Sequence, residues 1–312
     1  TPTLSSDAEM GPARKTCMLS LLLCGSSVSF SLPAIDMTMR VSALSRSVKP
    51  HMAVLPSLPV VAAVCTLPTC LGFWKSEYGV SYAYGGATAI MGLLVLRAST
   101  TPLAAVHAAA LITYGVRLNL FLLWRELNVA RFREFREKVE ARAVEAGGRL
   151  KRTPFVLSCS FLYACLAAPV VVTTSTAAAS LWTAVLVGVA WFGLLLAASG
   201  DLVKSWIKAR QGPDVLVTSG PYRFFRHPNY TGEQILWTAN MLAALVSAGS
   251  SGLPAMRAHA GWLVSSIVGW LGIVFVLAKA TANLEKKQAE RFAAYSQWQR
   301  SSWGGLALGS KE

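Results

Sequence analysis

Residues 153–200, "TPFVLSCSFLYACLAAPVVVTTSTAAASLWTAVLVGVAWFGLLLAASG", run for 48 positions without an Asp, Glu, Lys or Arg. That length holds two helices of about 20 residues, each able to cross a hydrocarbon core of about 30 Å. Inside lipid every backbone N–H and C=O must be satisfied within the segment, which leaves helices as the natural spanning element. The rest of the chain has the same character. It is 54% hydrophobic and 14% charged, where soluble domains carry about 25% charged residues. These features predict an all-α, polytopic membrane helix bundle of six or seven spans, near 53–73, 79–96, 102–123, 154–172, 180–199, 234–249 and 260–279. Pro56, Pro59 and Pro68 interrupt the first. The sixth is short, and is expected to tilt or to form a hairpin with the seventh.

The formal charge of +14 is concentrated in a few blocks between apolar runs. Lys and Arg number 1, 9, 5 and 6 after spans one, three, five and seven, but 1, 0 and 1 after spans two, four and six. This alternation puts the three large basic segments on one face, cytoplasmic or stromal by the positive-inside rule. Such a distribution points to the lipid bilayer, its anionic headgroups and a phosphate-bearing cofactor as partners, rather than to nucleic acid. The cysteines lie in or beside apolar stretches without a C-x-x-C pair, and His51, His107, His227 and His259 are scattered. No metal is expected from that pattern.

Residues 1–50 read as a targeting leader. "GPARKTCMLSLLLCGSSVSFSLPA" (11–34) has the basic start, short apolar centre and small residues of a secretory signal. "MTMRVSALSRSVKPH" (37–51) bears Ser and Arg, lacks acids, and has the character of a transit segment. In tandem they resemble the bipartite leader of plastids acquired by secondary endosymbiosis, and a single leader on an ER protein is the alternative. Residues 51–312 are then expected to form one multi-span membrane domain, in an ER or plastid membrane.

Four segments carry candidate chemistry. In "GPYRFFRHPNYTGE" (220–233), Gly220-Pro221 predicts a turn and Pro228 keeps His227 out of the helical region. Thr231 and Gln234 have the spacing of a helix-capping box, so 220–230 should be a non-helical approach to span six. Its N-terminus would offer free N–H donors to an anion. Glu233, Trp237 and Asn240 fall on one face of that helix and should line a protein cavity, because an acid facing lipid is costly. In "GDLVKSWIKARQG" (200–212), Asp201, Lys204 or Ser205, and Lys208 share a face. Arg117, in "YGVRLNLFLLWRE" (114–126), lies inside a span and either meets a partner there or snorkels to the basic face. The segment 125–152 holds nine cations and five glutamates at helical spacing. Most of it reads as a solvated amphipathic helix with i,i+4 pairs, with Arg125 set apart at the end of a span.

The fourteen-residue stretch resembles the "G-[LP]-[WY]-R-x-x-R-H-P-N-Y-x-G-E" signature of the steroid 5α-reductase C-terminal domain superfamily, in its broad multi-span branch. "GDLVKSWIKAR" is similar to that superfamily's A-D-x-Q-K segment, and "VRLNLFLLWRE" to its R-L-x-x-x-L-x-x-R stretch. "NLEKKQAERFAAYSQWQRSS" (283–302) is similar to its closing E-x-x-x-x-x-R-x-x-x-Y-x-x-Y segment. The likeness covers about 75–310. It implies a multi-helix membrane enzyme with NADPH at the cytosolic face, held by Asp201, Lys204, Arg223, His227, Asn229 and Tyr230. Arg117 and Arg125 would meet the cofactor's phosphates. Glu233 and Tyr230 would be the catalytic acid and proton donor. The isoprenylcysteine methyltransferases share the architecture and an R-H-P-x-Y motif but bind S-adenosylmethionine. Ala197 stands where the superfamily commonly has Glu, Gly200 where it has Ala, and Trp298 where it has the second Tyr of the tail.

Three functions follow as expectations. The first is NADPH-dependent reduction of an activated C=C bond in a hydrophobic small molecule, sterol-like or isoprenoid, with positively charged loops suited to the cofactor's phosphates. The site would not be of Rossmann type, since no G-x-G-x-x-G is present. The second is a methyltransferase acting on a lipid or prenylated substrate, whose sulfonium cofactor would call for carboxylate and aromatic contacts. The third is a non-catalytic membrane protein on the same scaffold.

Overall fold

The computed structural model describes residues 56–176 and 180–305; the expected leader over 1–50 lies outside the described residues. The fold is an all-α membrane bundle. In chain order its helices are α1 (Leu58–Thr69), α2 (Leu71–Trp74), α3 (Tyr82–Ala98), α4 (Pro102–Asn128), α5 (Ala130–Glu145) and α6 (Thr153–Ser175). They continue with α7 (Leu181–Gln211), α8 (Pro228–Ser250), α9 (Leu253–Ala258), α10 (Ala260–Arg291) and α11 (Tyr295–Ser301). Short 3₁₀ turns at Ser76–Gly79, Leu150–Arg152 and Gly220–Arg223 lead into α3, α6 and the approach to α8.

Five stretches are long and apolar enough to cross a membrane: Ser76–Ala98, Pro102–Asn128, Leu150–Ser175, Leu181–Gln211 and Ala260–Arg291. Two of the seven expected spans differ. The first is the short apolar stretch Leu58–Trp74, in which one helix ends at Thr69 and another begins at Leu71, just after Pro68. The sixth belongs to α8, whose 23 residues reach about 35 Å. Its mean apolarity is diluted by Thr231, Glu233, Gln234, Thr238 and Asn240. All of these but Thr238 are buried, so α8 keeps its polar groups inside the bundle.

Small residues set how closely the helices approach. A Cβ added to Gly193 of α7 would lie 2.6 Å from Gly232 O and from Leu236 N of α8. On α8, Gly232 would meet Gly193 O at 2.5 Å and also crowd the backbone nitrogen of Ala197. Without a hydrophobic driving force between helices in lipid, such close packing is a main source of association. Ala197 is fully buried at this seam. Gly200 continues the seam, with its virtual Cβ 2.8 Å from Asn229 N. Position 200 thus has a packing reason to be glycine.

The basic segments gather at one end of the bundle. Asp214, in the connection after α7, meets Arg131 of α5 at 3.0 Å and also contacts Arg291 at the end of α10. Helix α5 is more firmly docked than a solvated helix would be. Arg136 is buried against Glu77 and Glu126, and Glu140 binds Arg152 at 2.7 Å and the Ser76 backbone N–H at 2.8 Å. The expected i,i+4 pairing along 125–152 thus gives way, at these positions, to pairing with neighbouring helix ends.

Candidate functional site

Helix α8 begins at Pro228 with His227 as N-cap (φ −136°, ψ 67°) and no side-chain cap. The expected capping box is displaced: Thr231 lies inside the first turn, because proline at the first helical position starts the helix earlier. His227 stays out of the helical region, as its following proline requires. From this start, Glu233, Trp237 and Asn240 turn inward together, and all three are buried.

Glu233 meets a cluster of rings supplied by α3, α4 and α6. The Tyr84 hydroxyl accepts from Trp237 Nε1 at 2.5 Å and donates to Glu233 Oε2 at 3.4 Å. Tyr114 stands edge-on to both Tyr84 and Trp237, with centroids 5.6 Å away in each case. Tyr163 stacks on Tyr84 at 5.4 Å, and its hydroxyl donates to Gly79 O at 2.9 Å. Each polar tip except Tyr114's thus has a defined partner inside an apolar shell, the condition for keeping such groups within a membrane.

One turn toward the basic end lies an ion pair. Arg117 Nη1 donates to Asp201 Oδ2 at 2.6 Å, and both side chains are largely buried. The guanidinium sits 5.5 Å from the Tyr114 ring centroid, and its field reaches Glu233. Its Nε and Nη2 are buried without a hydrogen-bond partner among the described residues. Arg117 therefore does not snorkel to water. Arg125 stacks on Phe132 at 4.1 Å. Lys204, on the same face of α7 as Asp201, lines a cleft with Lys208, Tyr222, Arg226, Gln288 and Trp298.

The remaining motif residues separate from this centre. Arg223 is exposed on its 3₁₀ turn. His227 is buried, with Nε2 3.4 Å from Glu285 Oε1 of α10, a carboxylate that also accepts from Arg226 Nε at 2.7 Å. Burial holds the His227 imidazole below its usual range; Glu285 opposes this, while Lys204 and Arg226 reinforce it. Asn229 sits in the first turn of α8 against Gly200. Tyr230 is half-buried, its ring 6.2 Å from that of His227. Tyr84 on α3, rather than Tyr230, donates its hydroxyl to Glu233.

Deeper in the bundle, the His107 ring nitrogens bridge Thr173 Oγ1 and Asn240 Oδ1, both at 2.8 Å. Sequence reasoning left out Tyr84, Tyr114, Tyr163 and His107. The available signal was spacing: His107, Tyr114 and Arg117 stand at i, i+7 and i+10 on α4, one polar column facing the column on α8. Among the described residues no group of three or more His, Cys, Asp or Glu side chains could hold a metal ion.

A family model described as "Protein of unknown function (DUF1295)" matches residues 73–302, so the chain belongs to that family. No curated protein and no solved structure matches it.

Proposed function

We propose that this DUF1295 member is a membrane-embedded oxidoreductase that reduces an activated C=C bond of a sterol-like or isoprenoid lipid with NADPH. The observation that carries the reading is a buried acid–tyrosine–tryptophan chain, Glu233–Tyr84–Trp237, beneath an arginine whose Nε and Nη2 have no partner among the described residues. Those free donors on Arg117 fit a phosphate oxygen, since guanidinium binds phosphate through parallel N–H bonds. Arg125, Lys204, Asn229 and the half-buried face of Tyr230 would complete the cofactor's seat, with Asp201 fixing Arg117. When bound, NADPH supplies a hydride to the electron-poor carbon of the double bond. The chain's own task is the proton. Trp237 orients the Tyr84 oxygen, and the Tyr84 hydroxyl or the Glu233 carboxyl holds the proton that the other carbon, or its conjugated oxygen, receives. The buried ring cluster excludes water from this transfer. The mouth would open on the cytoplasmic or stromal face of an ER or plastid membrane.

One feature favours a second reading. A carboxylate surrounded by Tyr84, Tyr114 and Trp237 also suits a sulfonium cation, as S-adenosylmethionine carries in a lipid methyltransferase. Thermal unfolding of the purified protein in detergent, with each cofactor in turn, separates the two. NADPH is expected to raise the midpoint and S-adenosylmethionine to leave it unchanged, and Arg117→Ala should remove the NADPH response. A response to S-adenosylmethionine alone would overturn the reductase assignment, and no response to either would leave the scaffold reading.

A further inference from the structure

Helix α5 lies across the basic end of the bundle rather than projecting from it. Its Phe132, Arg136 and Glu140 face inward, and along that line it is tied to three helix ends. Arg136 binds Glu77 at 2.7 Å and also Glu126, at the start of the α3 span and the end of α4. Glu140 binds Arg152 at 2.7 Å, at the start of α6. These ends belong to segments long and apolar enough to cross a membrane, which puts the α5 axis along the interface where they would emerge.

Its two outer flanks are chemically different. Arg131, Phe135, Lys138 and Arg142, at i, i+4, i+7 and i+11, form one exposed flank, and Phe135 keeps 52% of its surface open. Glu134, Glu137, Ala141 and Glu145 form the adjoining strip, also exposed, and the exposed Arg133 lies at its far edge. A helix lying at a membrane surface turns cations and an aromatic ring toward the lipid and acids toward water.

We propose that the Arg131–Phe135–Lys138–Arg142 flank binds the anionic headgroups of the surrounding leaflet, with Phe135 inserted at the acyl boundary and Lys138 and Arg142 on the phosphates. Arg131 shares its charge with Asp214 at 3.0 Å and contributes less. This assignment is independent of the reaction the bundle performs. It gives the chain a preference for anionic over zwitterionic lipid at the face bearing the proposed cofactor mouth.

The test uses the full chain in nanodiscs of phosphatidylcholine mixed with phosphatidylglycerol, and reads the lipids that stay bound after transfer to detergent. Wild type is expected to retain phosphatidylglycerol preferentially. A Lys138→Ala, Arg142→Ala double variant should lose about fivefold of that preference per cation removed. Its thermal midpoint in pure phosphatidylcholine should match wild type. Glu134→Gln with Glu137→Gln, on the acidic strip, should retain phosphatidylglycerol at least as well as wild type. Undiminished preference in the double variant would overturn the proposal. So would inorganic phosphate that, in lipid-free detergent, stabilises wild type but not the double variant, because the flank would then be a free-phosphate site.

Discussion

Arg136 is 3% exposed and meets two carboxylates, Glu77 at 2.7 Å and Glu126. Its guanidinium also lies 4.9, 4.8 and 4.5 Å from the ring centroids of Tyr78, Tyr82 and Phe132. Removing the cation takes the guanidinium from two largely buried acids, and breaking a buried pair in this way costs about 3–5 kcal/mol. Arg136→Ala should therefore lower the thermal midpoint in detergent by several degrees. Arg136→Lys should recover only part of the loss, since an ammonium cannot reach both acids as a planar fork does. An unchanged midpoint in the alanine variant would mean that the cluster does not hold α5. His227 predicts a pH effect of defined sign. Burial holds its imidazole below the ordinary value of 6.5, with Glu285 pulling it up and Lys204 and Arg226 pushing it down. A base with a depressed native pKa takes its proton more readily unfolded than folded. Its contribution is fully present above about 6.5 and is lost as pH falls from there toward the native pKa. The midpoint of wild type should fall through that window, and His227→Gln should remove part of the slope.

At the scale of helices, the α7–α8 seam governs the site, because it fixes the depth and rotation of Glu233. Gly232 has no space for a methyl group: its carbon would lie 2.5 Å from Gly193 O and would also crowd the Ala197 backbone. Gly232→Ala must push the helices apart. It should cost about 1–3 kcal/mol as an overpacked position does, seen as a lower thermal midpoint than Gly261→Ala, whose Cβ meets open space. The inward face of α8 was legible in the sequence because Glu233, Trp237 and Asn240 obey the 3.6-residue period and lipid forbids the outward alternative. The partners on α3, α4 and α6 were not. Tyr84, Tyr114 and Tyr163 sit in apolar runs where an aromatic ring fits lipid, core or site equally well. Arg136 was hidden for the opposite reason, since it stands in a run of charges whose simplest reading is water. The helix start was misplaced through Thr231 and Gln234, whose spacing matches a capping box only if Pro228 does not begin the helix first.

For the whole molecule, the closing segment does more than end the chain. Arg226 Nε donates to Glu285 Oε1 at 2.7 Å, and its Nη1 donates to Ser302 O at 2.7 Å and Gln299 O at 3.0 Å. The Arg226 backbone N–H donates to Trp303 O at 2.9 Å, while Trp303 N–H donates to Phe224 O at 2.8 Å. Trp298 Nε1 adds a bond to Tyr222 O at 3.1 Å. One arginine thus ties the end of α10 and the tail after α11 to the strip that leads into α8. The tail in turn fixes Tyr222 and Trp298, which line the Lys204 cleft. Trp298 fills its place with a ring and an N–H donor. If Arg226 is this clamp, Arg226→Ala should raise amide hydrogen exchange at 224–227 and 298–303 together, with little change in α3, α4 and the inner turns of α8. Arg223→Ala, three residues earlier and exposed, should leave exchange at both strips as in wild type. Exchange rising in only one strip would show that the two are held separately, and that the tail does not shape the mouth.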